Sequence, residues 1–151
     1  EKTNHLYVHT YQVMEATKAI NVTVYEAHMA QRNYILTDDV KYETEFEANK
    51  LLIEPAIDKA KQLTGDNPQQ QLRLGKVVDL ANHRADKWNL TLAEYKTGGL
   101  PAAQAMIKKN LGHIVMDDLK AILNEINDDE LKLLAARESA KVQSFQYTRI
   151  C

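Results

Sequence analysis

The chain contains few of the residues that interrupt helices and few of those that commonly carry chemistry. Its 151 residues include five glycines, three prolines and a single cysteine. Because Cys151 stands alone, an internal disulfide and a cysteine-based metal cluster are excluded. The only serines, Ser139 and Ser144, lie in no hydrolase motif, and neither a Gly-rich phosphate loop nor a dinucleotide fingerprint occurs. These absences predict that the domain has no catalytic residue.

Charge and hydropathy exclude further classes of protein. The formal net charge of −2 provides no basic surface for neutralising phosphates, so no nucleic-acid partner is predicted. No run approaches about 18 consecutive apolar residues, and no signal peptide is visible. With 44 % hydrophobic and 26 % charged residues, the chain is predicted to form one domain over residues 1–151. Since it opens on Glu1 and not on Met, we expect it to be excised from a longer protein.

Two long stretches of the chain carry apolar residues at seven-residue intervals. No glycine or proline precedes Pro55, and none follows Gly112. The repeat is typical of a coiled-coil seam, the row of side chains that faces a neighbouring helix. The first seam comprises Leu6, Val13, Ile20, Ala27 and Tyr34, and the second comprises Leu119, Ile126, Leu133, Ala140 and Tyr147. The first and last helices are therefore predicted to be very long.

Most glycines and prolines fall in three short clusters, at residues 64–68, 97–101 and 110–112. Between the clusters, apolar residues recur every three or four positions, which predicts two amphipathic inner helices. Residues 101–110 are predicted to form a short connector helix. The predicted fold class is all-α, an elongated antiparallel four-helix bundle with long first and last helices.

The helix lengths predict a stem. The outer helices span about 35 residues and the inner ones about 26 to 30, a difference of roughly 10 to 15 Å at 1.5 Å per residue. The inner pair therefore leaves part of the outer pair uncovered. We expect the first and last helices to project together with both chain ends at one pole. Their exposed seam is expected to pair with a second copy, which predicts a homodimer.

The most distinctive polar segment is AHMAQRNYILTDD, residues 27–39, at the end of the first helix. His28 lies one turn before Arg32 on the same helix face, so it is either a pH-responsive neighbour or a structural hydrogen-bond partner. Thr37 or Asp38 is expected to cap the following helix.

Antiparallel packing also predicts which polar residues meet. If the chain ends are level, the first and last helices align positions whose numbers sum to about 151. Arg32 then faces Asp117 or Asp118, which predicts an ion pair. By the same rule, Arg137 lies near Glu15 and Glu130 lies near Asn21.

Several polar residues occupy seam positions where Leu would be more stabilising. They are Thr10, Thr17, Gln31, Asp129 and Gln143. They either specify the register of the helices or form a polar layer that permits sliding between two arrangements. The sequence leaves both interpretations open.

The five histidines do not form a recognisable metal site. None follows a glutamate at the Glu-x-x-His spacing of di-iron bundles, and no His-Glu-x-x-His motif occurs. We therefore predict no metal and no cofactor. A di-iron enzyme remains a third alternative, which stoichiometric iron in the purified protein would reveal.

Four short motifs, in chain order, carry a resemblance to a known family. The first two comprise His9, Thr10 and Val13, and then Gln31, Arg32, Tyr34, Leu36 and Thr37. The last two comprise Leu63, Thr64, Asn67, Pro68 and Gln70, and then Met116, Asp117, Glu130, Leu133, Leu134 and Arg137. With these motifs the chain resembles an extracytoplasmic sensor domain of the third CHASE type over nearly its whole length. It departs from the family at His28, where an acidic residue is usual, and at Asn33, where Gly is usual.

The resemblance implies the signal-sensing domain of a transmembrane receptor, periplasmic or extracellular and usually dimeric. It implies membrane segments flanking the domain, a small-molecule or protein ligand of unknown identity, and a parent protein that is a sensor histidine kinase or a diguanylate cyclase. We expect the histidine kinase. The alternative is a soluble structural or adaptor bundle that binds a protein partner. The candidate site residues are His28, Gln31, Arg32, Tyr34, Asp117, Asp118, Glu130 and Arg137.

Overall fold

The computed structural model describes the backbone of residues 2–110 and 112–150. The helices are α1 (Lys2–Thr37), α2 (Val40–Leu63), α3 (Pro68–Asn110) and α4 (Gly112–Ile150). Each helix contacts the next, α4 also contacts α1, and α1 contacts α3 across the centre. The described residues contain no strand. The predicted all-α four-helix bundle is confirmed.

The third helix contains a break that separates the connector from the bundle helix. Gly99 has φ 71° and ψ −164°, a conformation that glycine adopts without a steric penalty. At the preceding residue, a Cβ added to Gly98 would lie 2.6 Å from Cβ of Ala102, so the close approach also requires glycine. Ala103 of the connector is fully buried. The predicted connector helix is therefore present. It begins beside Gly99 and Leu100, which line a cleft with the end of α1 at the pole farthest from the chain ends, and we call this the distal pole.

The turn between α1 and α2 differs in detail from the prediction. Asp38 adopts φ 56°, and its amide N–H donates to the carbonyl of Tyr34 at 2.8 Å, which ends α1. The N-cap of α2 is Asp39, whose carboxylate accepts from the amide of Lys41 at 3.0 Å. The predicted cap at Thr37 or Asp38 is wrong, because Asp39 is the N-cap and Asp38 closes the preceding helix.

The two seams are buried to different extents. In α1 the seam is buried from Val13 to Tyr34, and the polar seam residues Thr10, Thr17 and Gln31 are buried with it. In α4 Leu119 and Ile126 are buried, whereas Tyr147 is 79 % exposed. The last part of α4 therefore extends beyond the core of the bundle.

The register between α1 and α4 departs from the prediction. The hydroxyl of Thr17 donates to the side-chain oxygen of Asn127 at 2.8 Å. Level chain ends would have placed Thr17 opposite Leu134, about two helical turns further along α4. Asn127 precedes Leu134 by seven residues, so the C-terminal end of α4 extends further past the start of α1 than a level arrangement allows. The chain ends are therefore not level.

The predicted stem is present and is longer on the α4 side. Gln70, near the start of α3, bonds to Glu130 of α4, and α4 continues to Ile150 for about 20 more residues, roughly 30 Å. Along part of this length α1 lies beside α4, since Glu138 of α4 raises the pKa of Tyr7 of α1. Both helices thus leave the bundle at the same pole, which we call the proximal pole.

Candidate functional site

A group of basic and aromatic side chains, which we call the cationic cluster, joins α1 to α3. It consists of His28 and Arg32 of α1 and Arg84 and Trp88 of α3. Nη2 of Arg84 lies 2.9 Å from Nδ1 of His28, and Nε1 of Trp88 donates to the same nitrogen at 3.3 Å. Because two N–H donors meet at Nδ1, that nitrogen must carry a lone pair. His28 is therefore a neutral imidazole with its proton on Nε2.

Burial and neighbouring positive charge keep His28 neutral. Burial, followed by the charges of Arg84 and Arg32, lowers the pKa of His28 from 6.5 to about 4. Burial and the charge of Arg32 lower the pKa of Arg84 to about 10, and burial also lowers the pKa of Arg32. The two guanidinium groups thus oppose each other's charge, and the imidazole between them supplies no compensation.

Among the residues that the structure describes, no carboxylate forms an ion pair with either guanidinium group. The ion pairs formed within residues 2–110 and 112–150 include neither Arg32 nor Arg84. Arg84 is 4 % exposed, and Nε of each arginine is buried without a hydrogen-bond acceptor. A buried donor without a partner costs about 1–3 kcal/mol, and a buried charge without a counter-ion costs more. The cluster therefore opposes the stability of the fold, as functional sites often do.

Contacts of Trp88 with neighbouring aromatic and amide groups fix the position of the cluster. Trp88 is 1 % exposed and meets the ring of Phe46 edge to face, with 5.7 Å between ring centroids. The side-chain amide of Gln31 donates to the backbone carbonyl of Trp88 at 3.2 Å. The guanidinium carbon of Arg84 lies 5.6 Å from the Trp88 ring centroid, within the range of a cation–π contact. Packing, and not charge pairing, fixes the geometry of this cluster.

A second polar group surrounds Tyr34 at the distal pole. The Tyr95 hydroxyl donates to Asp38 at 2.7 Å, and the rings of Tyr34 and Tyr95 meet edge to face at 5.4 Å. The bond to Asp38, burial and the charge of Asp38 raise the pKa of Tyr95 to about 12. An open cleft of about 570 Å³ lies against these residues, next to Gly99. Tyr34 therefore belongs to the distal pole and not to the cationic cluster.

A third polar group, which we call the paired cluster, lies near the proximal pole. The side-chain amide of Gln70 donates to Oε1 of Glu130 at 3.2 Å, and Nε2 of His9 lies 3.8 Å from Oε2 of the same carboxylate. Nη1 of Arg73 lies 3.1 Å from Asp129 and donates to Oε1 of Gln70 at 2.8 Å. This group connects α1, α3 and α4, and it contains both positive and negative charges.

The candidate site residues predicted from the sequence thus do not form a single cluster in the structure. His28, Gln31 and Arg32 lie in or against the cationic cluster. Asp117 and Asp118 are exposed on α4, and the ion pairs of the described residues do not join either one to Arg32. The predicted ion pair is therefore wrong, because the register of α4 is displaced from the level arrangement.

Two other predicted pairs also fail for the same reason. Glu130 lies beside His9 and not beside Asn21. Arg137 is exposed in the α4 stem, and the described contacts include no ion pair between it and Glu15.

Sequence reasoning missed Arg84, although one signal pointed to it. Arg84 falls between Ala81 and Trp88 at three- and four-residue spacing, so it occupies the apolar stripe of α3. A charged residue in such a stripe is buried without water and needs an explanation. As for metals, no group of three or more potential ligands occurs in the described part of the chain.

Comparison with known proteins decides the family. The CHASE3 domain model matches residues 3–140. This chain belongs to the CHASE3 domain family. CHASE3 domains are extracytoplasmic sensor domains of membrane receptors, so the chain is the signal-sensing domain of a receptor. No helix in the described segments is both long and apolar enough to cross a membrane.

The CHASE3 domain also resembles a solved structure. That structure is the crystal structure of the Rhodopseudomonas palustris histidine kinase HK9 sensor domain, with a TM-score of 0.78. The match covers 83 % of this chain and 98 % of that chain at 18 % sequence identity, so it supports the fold alone. No curated protein matches the sequence.

Proposed function

We propose that this CHASE3 domain is the periplasmic or extracellular part of a sensor histidine kinase and transmits a stimulus to the membrane through α1 and α4. The observation that carries the proposal is the stem, in which these two helices leave the bundle at one pole. The resemblance to a histidine kinase sensor domain favours that parent over a diguanylate cyclase. The domain performs recognition, and the parent protein supplies the enzymatic output.

The paired cluster suits a small displacement between helices. Nε2 of His9 and Oε2 of Glu130 are 3.8 Å apart, too far for a hydrogen bond, and this carboxylate oxygen is buried without a donor. Helix shifts in receptors are typically about 1–2 Å, which is enough to form or separate such a pair. A shift of α1 against α4 would therefore exchange one polar arrangement for another.

A homodimer through α1 and α4 is the second part of the proposal. The outer face of α1 exposes apolar side chains at three- and four-residue spacing, which is the spacing of a coiled-coil contact. These residues are Tyr7, Tyr11, Val22, Tyr25 and Met29 of α1, and Leu131, Val142 and Phe145 continue the exposed apolar surface on α4. We propose that the occupant of this surface is a second copy of the same stem. Sedimentation of the parent receptor in detergent should give the mass of a dimer.

The location can be tested by labelling the parent receptor in whole cells. Cys151 is first replaced with Ser, and Lys59, an exposed residue of α2 that lies outside the proposed dimer face, is then replaced with Cys. A membrane-impermeant maleimide should label the new thiol in intact cells as fully as in lysed cells. Labelling only after lysis, or recovery of the receptor in the soluble fraction, would contradict the proposal and favour the adaptor alternative.

A further inference from the structure

We propose that Arg32 and Arg84 form the binding site for an oxyanion group, a carboxylate or a phosphate, of a small ligand. The inference rests on the proposed sensor function, and it specifies the chemistry of the signal. Its physical basis is the combination of buried positive charge and unused hydrogen-bond donors in one place.

Each arginine has a donor that the protein leaves unsatisfied. Nε of Arg32 and Nε of Arg84 are both buried without an acceptor. A guanidinium edge binds carboxylate and phosphate oxygens through two parallel hydrogen bonds, and such bonds are stronger than those between neutral groups. An oxyanion would therefore satisfy the donors and balance the charge in a single event.

His28 strengthens this reading because it holds Arg84 without neutralising it. Its Nδ1 accepts from Nη2 of Arg84 at 2.9 Å, and Trp88 anchors the same nitrogen at 3.3 Å. A carboxylate in this position would have made an internal ion pair and left no positive charge for a ligand. The neutral imidazole fixes the guanidinium and preserves its charge.

The direction of access follows from the burial of the three side chains. Arg84 is 4 % exposed, whereas Arg32 and His28 are half-buried on α1. A ligand approaching from solvent would thus meet Arg32 before Arg84, and its anionic group would reach the two buried Nε atoms through a movement of the side chains around them. Because Arg32 belongs to α1 and Arg84 to α3, one bound anion would link the signalling helix α1 to a helix that is not part of the stem.

The single tryptophan of the chain, Trp88, provides the readout, since it contacts His28 and Arg84. The domain is titrated with sodium succinate and, separately, with sodium phosphate, each against sodium chloride at equal ionic strength and neutral pH. We expect one of the two anions to change Trp88 emission saturably, with a Kd of about 1 mM or tighter. The responding anion identifies which oxyanion group the site prefers.

Two variants of the site test the assignment. Arg32→Gln should weaken binding at least about tenfold, and Arg84→Lys, which retains the charge but not the guanidinium edge, should weaken it comparably. Arg149→Gln removes the same charge from an exposed position at the end of α4 and should bind as the wild type does. Circular dichroism melts establish that each variant is folded before it is titrated.

The proposal is overturned if neither anion produces a saturable change, or if Arg32→Gln binds as tightly as the wild type. These results are separable from the cell-labelling test. If the receptor is labelled from outside but its domain binds neither anion, only the proposed anion site is rejected. If the domain binds an anion but the receptor is labelled only after lysis, the proposed location is rejected and the anion site is retained.

Discussion

The paired cluster and the cationic cluster are both built from polar side chains between helices, but they treat charge in opposite ways. In the paired cluster Arg73 lies 3.1 Å from Asp129, and Gln70 joins this pair to Glu130. In the cationic cluster Arg84 is more deeply buried than Arg73, yet its hydrogen-bonded partner is a neutral imidazole. The paired cluster joins its arginine to a carboxylate and leaves only Oε2 of Glu130 without a donor, whereas the cationic cluster joins neither of its arginines to a carboxylate among the described residues.

This difference indicates that the two clusters have different roles in the bundle. A polar network that links three helices specifies their register, because sliding would separate its partners. The cationic cluster also links two helices, through the hydrogen bonds of His28 to Arg84 and Trp88, but its unbalanced charge opposes folding, and we attribute that charge to the proposed ligand site. The proximal half of the domain is therefore interpreted as the part that sets helix positions, and the other cluster as the part that recognises the signal.

The largest expected effect comes from removing the aromatic support of the cationic cluster. Trp88→Ala should lower the free energy of unfolding by about 3–5 kcal/mol, because it creates a cavity beside Phe46 and frees His28. Urea denaturation measures the change. Tyr147→Ala, which truncates an aromatic residue exposed on the stem, is the control and should change stability little. A loss below about 1 kcal/mol for Trp88→Ala would show that packing does not maintain this cluster.

The second effect is a pH dependence of stability that arises from His28 in the cationic cluster. The pKa of His28 is about 4 in the folded protein and 6.5 in the unfolded chain, so the unfolded state binds more protons between these values. The free energy of unfolding should therefore fall as the pH is lowered from 6.5 to 4. Allowing for solvent screening of this half-buried group, the contribution is of order 1–2 kcal/mol.

This contribution is isolated by comparing variants across the same pH range. His28→Gln retains an acceptor but does not titrate, so its stability should depend less on pH than that of the wild type. His83→Gln changes an exposed histidine and should preserve the wild-type slope. Parallel curves for the wild type and His28→Gln would contradict a neutral His28 between two arginines.

The smallest expected effect is the change in stability when an arginine of each cluster is replaced with Met. We expect this change to have opposite signs in the two clusters. Arg73→Met leaves Asp129 and Gln70 without their donor and should cost about 1 kcal/mol. Arg84→Met removes an unbalanced buried charge, and a flexible apolar side chain fills the space, so it should stabilise the domain by about 1 kcal/mol. Thermal melts in chloride buffer without other anions compare the two. Changes of the same sign would remove the distinction between the clusters.

Much of the fold was predictable because its determinants are local. Glycine and proline interrupt helices wherever they occur, so their scarcity and clustering predicted the four helices and the connector after Gly99. The seven-residue repeat predicted the buried seam of α1, including the polar positions Thr17 and Gln31. The motifs around Arg32 and Asn67 indicated the family without reference to any contact.

The register and the cationic cluster depended on the tertiary structure. The repeat is compatible with helices displaced by whole turns, so it did not distinguish Asn127 from Leu134 as the residue opposite Thr17. That choice is seen only in the tertiary structure, where Thr17 bonds to Asn127. Likewise, Arg84 is 52 positions beyond Arg32 in the sequence, and nothing in its local pattern names its neighbours. Only the packing of α1 against α3 places two arginines around one neutral histidine, because contacts between distant segments are set by how whole helices dock.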